Sequence, residues 1–158
     1  MLQVAGEYTA EVTLESDGFS IGTHTLELLP GPMDAATSEL TSPADHSSLT
    51  AGDTLTLRVL PHDEFGNDAT PTDTQTLVAV IEYSTVGPRA AGAAAVAAAE
   101  RVELSREAGG GDYGPWVATW VAEAAGAVSI VVQLEASADG ATVLSLPSVS
   151  ATVRCPRP

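Results

Sequence analysis

The sequence contains no lysine and only 6 basic side chains, all arginine, against 21 acidic ones, for a formal net charge of −15. A field of that sign repels phosphate backbones and anionic headgroups, so nucleic-acid binding and attachment to acidic lipid are disfavoured. Cys155 is the single cysteine, which excludes an intrachain disulfide and a cysteine-built zinc site. No apolar run approaches the length that crosses a bilayer, so membrane insertion is not expected. The first residues, Met1 to Gly6, carry neither a basic segment nor a long apolar one, so they do not read as a secretory signal. Asn67, the one asparagine, is followed by Asp68 and Ala69 and is no glycosylation acceptor. These absences favour an intracellular setting.

The residues of catalysis are thin as well. His24, His46 and His62 fall in separate segments, there is no Gly-x-Ser-x-Gly elbow, and Gly109-Gly110-Gly111 lacks the lysine of a phosphate loop. The chain therefore reads as non-enzymatic, with no cofactor expected.

What is present is period-2 alternation. The 158 residues fit one domain, and 44% apolar with 17% charged residues is a globular composition. From Asp53 to Leu60, Leu55, Leu57 and Val59 share one face while Thr54, Thr56 and Arg58 take the other. Gln75 to Ser84 is β-branched and apolar, and Arg101 to Glu107 alternates Val102 and Leu104 with charges. Trp116, Ala118 and Trp120 then share a face, as do Val128, Ile130, Val132 and Leu134, and a last strand falls near Val149 to Arg154. Short strands with Gly, Pro, Asp and Ser between them, at intervals of about 10 residues, predict an all-β antiparallel sandwich or barrel. Arg89 to Arg101 breaks the pattern with an alanine run. Alanine favours a short helix there, and a low-complexity loop is the preferred expectation.

The chain also matches itself. Ala5 to Glu15 aligns with Ala125 to Glu135, apolar at every inward position, and Asp-Gly follows each at Asp17-Gly18 and Asp139-Gly140. Residues 1–33 thus read as the last two strands of one repeat, and 34–158 as a complete domain with an Ala-rich insertion near 86–100. A two-stranded ribbon is only marginally stable alone, so the expected context is a tandem array.

With these elements in place, Asp63-Glu64-Phe65-Gly66-Asn67 resembles the Asp-x-Phe-Gly-Asn turn of filamin-type immunoglobulin-like repeats. Ala51-Gly52-Asp53 stands where that family opens its second strand. Trp116, Ala118, Trp120, Ala122, Gly126 and Val128 follow the family's aromatic-to-glycine spacing, and Leu29-Pro30-Gly31-Pro32 is similar to its inter-repeat seam. The resemblance implies an immunoglobulin-like antiparallel β-sandwich of about seven strands. It further implies a non-enzymatic scaffold in a cytoskeletal or ciliary axonemal assembly, in the cytoplasm. Its partners would be neighbouring repeats, extended peptide segments or assembly neighbours. The alternative is an extracellular cell- or gamete-adhesion module, filamin- or cadherin-like, for which calcium binding is one option.

Asp63, Phe65, Gly66, Asn67, Trp116, Trp120 and Gly126 are the expected structural residues. Glycine supplies the positive φ of the turn, Asp and Asn satisfy nearby backbone donors, Phe65 caps the end of the core, and the tryptophans fill it. For the calcium alternative, Asp63, Glu64, Asn67, Asp68 and Asp73 gather oxygen-bearing side chains in one short loop, though a calcium site takes six to eight oxygens. For a protein partner, the expected docking edge is the third strand, with Leu77, Ala79, Ile81 and Tyr83 as one alternating set and Val78, Val80 and Glu82 as the other. The pattern leaves open which set faces the core.

Overall fold

The computed structural model describes residues 3–14, 16, 18–41, 48–84, 97–123, 125–136 and 141–155. The strands are β1 (Gly6–Thr13), β2 (Ser20–Leu28), β3 (Met33–Thr41), β4 (Ser48–Thr50), β5 (Thr54–Asp63) and β6 (Gln75–Ser84). After them come β7 (Ala97–Glu103), β8 (Ser105–Arg106), β9 (Trp116–Val121), β10 (Gly126–Ala136), β11 (Thr142–Ser145) and β12 (Val149–Arg154). Among the described residues there is no helix. The Ala-rich run up to Val96 and the turn residues Asp17, Asp139 and Gly140 lie outside them, as does His46.

From β3 onward the strands form two facing sheets. One has the order β3-β5-β9-β8, and the other β4-β12-β10-β6-β7, with β11 also paired to β10. This is the immunoglobulin arrangement, with β3, β5, β9 and β8 as the A-B-E-D sheet and β6, β10 and β12 as the C-F-G sheet. The pairs are antiparallel except β4 with β12. Alternation fixes the inner faces: Leu55, Leu57 and Val59 of β5 and Ala118 and Trp120 of β9 are buried against Leu77, Ala79 and Ile81 of β6. Val128, Ile130, Val132 and Leu134 of β10 complete that layer, with Ala151 and Val153 of β12 beside them. A one-residue slip would turn these side chains outward, so the aliphatic series also pins the register.

β1 and β2 stand apart as a two-stranded sheet. Their register repeats that of β10 with β12. Gly6 pairs with Leu28 and Tyr8 with Leu26, while Gly126 pairs with Val153 and Val128 with Ala151. The two leading glycines even share a backbone conformation, with φ of 148° at Gly6 and 157° at Gly126. Between Val12 and Thr13 the pairing shifts, leaving Ile21 as the extra residue of a bulge.

The alanine run has a different fate from either expectation at its C-terminal end. Ala97 to Ala99 are strand, not loop or helix, and β7 pairs with β6 from Val78 to Ser84. An unpaired edge of β6 offered a ladder of backbone hydrogen bonds, and tertiary pairing overrides the helix preference of alanine. One residue after β7, at Leu104, the chain leaves the β6 sheet and β8 joins β9 in the other. Leu104 is itself buried at that crossing, and its N–H donates to the Leu77 carbonyl at 2.8 Å.

Candidate functional site

The densest polar cluster lies where the hairpin meets the sandwich, at the end of β5. Asp63 is buried, and its carboxylate is saturated by donors. Oδ1 accepts the N–H groups of Phe65 and Asn67, both at 2.9 Å, and Oδ2 accepts the N–H of Gly31 at 2.8 Å. The Asn67 Nδ2 donates to the same carboxylate at 2.8 Å. Gly66, between them, has φ of 81°, a conformation that glycine adopts without a Cβ penalty. Burial acts to raise the Asp63 pKa, but the side-chain bond from Asn67 and the backbone bonds from Gly31, Asn67 and Phe65 outweigh it. The result is a fall from the ordinary 3.8 to about 2.

Asn67 reaches further. Its Oδ1 accepts the Ala5 N–H at 2.8 Å and its Nδ2 donates to the Gln3 carbonyl at 2.8 Å. The turn therefore holds the entry to β1 as well as the linker at Gly31. On the other side, Thr37 Oγ1 donates to the Asp63 carbonyl at 2.7 Å and the His62 N–H donates to Ser38 Oγ at 3.0 Å. These bonds stitch the irregular stretch of β3, between Asp34 and Glu39, to the end of β5.

The residues gathered in sequence as calcium candidates do not converge. The oxygens of Asp63 face the N–H donors just described, Asp68 Oδ1 lies 3.4 Å from His62 Nδ1, and Glu64 and Asp73 are exposed. Among the described residues no group of three or more His, Cys, Asp or Glu side chains is arranged to hold a metal ion. Phe65 also differs from its expected role. It is 48% exposed at the tip of the turn and does not cap the core.

The expected docking edge is closed. β7 occupies the free side of β6, and Leu77, Ala79 and Ile81 are each 0% exposed inside the core. None of the three is available to a partner, and Tyr83 is engaged internally. Its ring stacks on Trp120 with centroids 6.2 Å apart, and its hydroxyl donates to Glu100 Oε2 at 2.8 Å. The same oxygen accepts the Trp120 Nε1–H at 2.9 Å. Burial raises the Tyr83 pKa, and the hydrogen bond to Glu100 and the charges of Glu100 and Glu123 add to that shift.

Glu100 is the residue that sequence reasoning missed, because it closes an alanine run and nothing local ties it to two aromatics. Together the three side chains pin β7 onto the sandwich. Arg101 and Glu135, on the strands flanking β6, add an ion pair across it. Trp120 is buried, whereas Trp116 is only half-buried, with the Arg106 guanidinium 5.7 Å above its ring.

No family model matches the chain, and no curated protein does. Among solved structures it is similar to FdeC, described as a novel, broadly conserved Escherichia coli adhesin eliciting protection against urinary tract infections. The identity is 20% and the TM-score 0.49, over 94% of this chain and 41% of that one. The chain thus spans less than half the length of that structure. What the strand order supports is the immunoglobulin-like sandwich. No family model supports the narrower filamin-type assignment, and no comparison supports a cytoskeletal, ciliary or axonemal setting.

Proposed function

We propose that the chain is a non-enzymatic spacer from a tandem array of immunoglobulin-like units in a cell-surface adhesion protein. Residues 34–158 form one unit, and residues 1–33 end the unit before it. The observation that carries this reading is the repeated strand pair. β1 with β2 and β10 with β12 have the same register and the same leading glycine, yet among the described residues only the second pair is covered by a facing sheet. Val12, Leu14 and Leu26 leave an apolar face on the hairpin that a unit's own facing sheet would cover. The partners are accordingly the neighbouring β units of the same protein.

The edge of β6, where an extended peptide segment was expected to dock, is taken by β7. A sandwich with that edge filled is suited to spacing and presenting its neighbours. Two measurements test the reading. Surface biotinylation of intact cells that make the native protein should label it without permeabilisation; recovery only with the cytoskeletal fraction after lysis would replace the adhesive setting with the scaffold one. Amides of Tyr8, Ala10 and Val12 should exchange slowly in the native protein and fast in the isolated 158-residue chain. Equal exchange in both would remove the array.

A further inference from the structure

We infer that the turn from Asp63 to Asn67 is an orientation latch, which fixes the preceding β unit on the sandwich by gripping its backbone. The inference deepens the array reading and rests on it in taking the hairpin as the end of such a unit. Asn67 donates to the carbonyl of Gln3 and accepts from the N–H of Ala5, the residues on either side of Val4. That is the pattern a residue makes in a parallel ladder, so the carboxamide stands in for one peptide group beside the entering strand. Asp63 fixes the carboxamide from behind and takes the Gly31 N–H at the exit of the hairpin. Entry and exit of the hairpin thus converge on two adjoining side chains of one turn.

Among the described residues, no strand of the sandwich is paired with β1 or β2. Clefts of about 320 Å³ and 310 Å³ flank the linker, both lined by Leu29, Pro30 and Tyr113. Leu29 of the linker is 64% exposed, and directional hydrogen bonds set the angle. Because the latch takes hold of main-chain atoms, it places no demand on the side chains at Gln3, Val4 or Ala5. The partner it fits is any β unit that presents an extended backbone at that point and a linker N–H at the place of Gly31. Asparagine is the side chain that serves: aspartate has no donor for the Gln3 carbonyl, and alanine has neither group.

Residual dipolar couplings of the 158-residue chain, partially aligned in solution, test this directly. In the unaltered chain, amides of β1 and β2 and amides of β5 and β9 should fit one alignment tensor. In Asn67→Ala the hairpin couplings should shrink and depart from the sandwich tensor, while β5 and β9 keep theirs. Ala5→Pro removes one donor from the hairpin side and leaves the Asp63 turn untouched, so it should give the same decoupling even if Asn67→Ala disturbs the turn. Retention of one tensor in both variants would overturn the latch, as would two tensors in the unaltered chain. Either outcome leaves the array reading standing, since that is tested by exchange in the native protein.

Discussion

Val12 and Val132 hold matching places in strands of the same pattern, yet 46% of the first is exposed and 0% of the second. Leu14 and Leu134 differ in the same way, at 45% and 1%, and Leu26 stands at 52% where its counterpart Ala151 is at 7%. The alternation is equally good in both regions, and in both it yields a paired strand with its apolar residues on one face. What separates them is a second layer. β10 has β6 on one side, β12 on the other and Leu55, Leu57 and Trp120 across the core. Among the described residues, each strand of the hairpin has one neighbour, the other strand, and no facing sheet. Pattern selects the face to be buried, and burial itself is a property of the assembled layers.

Substitutions at matched positions should exaggerate this contrast. The largest effect is expected at Trp120→Ala, which empties the middle of the core and strips Glu100 of a donor; it should cost about 3 to 5 kcal/mol in urea unfolding. Leu134→Ala should cost about 2 to 5 kcal/mol. A loss under about 1 kcal/mol at either site would mean that the sandwich is not the stable half of the comparison.

Glu100→Ala should follow, at about 1 to 3 kcal/mol, by leaving the Trp120 N–H and the Tyr83 hydroxyl without their acceptor. The same variant should lower the Tyr83 pKa from its raised position, which absorbance titration of the phenolate would register. An unmoved Tyr83 titration would show that β7 is not held as described.

The acid side of the stability curve isolates the junction. The folded-state pKa of Asp63 is depressed, so its contribution is complete above the ordinary value of 3.8 and is lost as pH falls towards about 2. Denaturant midpoints followed through that window should decline, and Asp63→Asn should flatten that part of the decline. A variant curve parallel to the unaltered one would separate Asp63 from the acid response.

The smallest effect belongs to the hairpin. Leu14→Ala, the counterpart of Leu134→Ala, should change stability by no more than about 0.5 kcal/mol. If it instead matched Leu134→Ala, the hairpin would be covered in solution and the contrast between the two strand pairs would disappear.

Much of this architecture is legible in the residues. Gln75 to Ser84 emerges as β6 with the bounds its β-branched composition predicts, and the alternations of β5, β9 and β10 place Leu57, Trp120 and Ile130 inside. The candidate site is legible only in part. The Asp-x-Phe-Gly-Asn turn is visible because its bonds close over a few residues. Its grip on the hairpin is not, since Gly31 and Ala5 lie 32 and 62 residues away and contribute backbone N–H groups that carry no sequence signature. Phe65 misleads for the opposite reason. Its size suggests core, but its place at the tip of a tight turn points it into water.

Sequence by itself determined most of the strands, the inward faces of β5, β9 and β10, the turn at Gly66 and the acidic surface, because each follows from residues near one another in the chain. Tertiary structure alone decided the rest. It drew Ala97 to Ala99 into a strand by offering the open edge of β6, and it turned Glu100 towards Tyr83 and Trp120. It also left one of two matching strand pairs uncovered. Each outcome depends on which surfaces meet, and hydrogen-bonding capacity and apolar area are satisfied by whatever element arrives, at any separation along the chain.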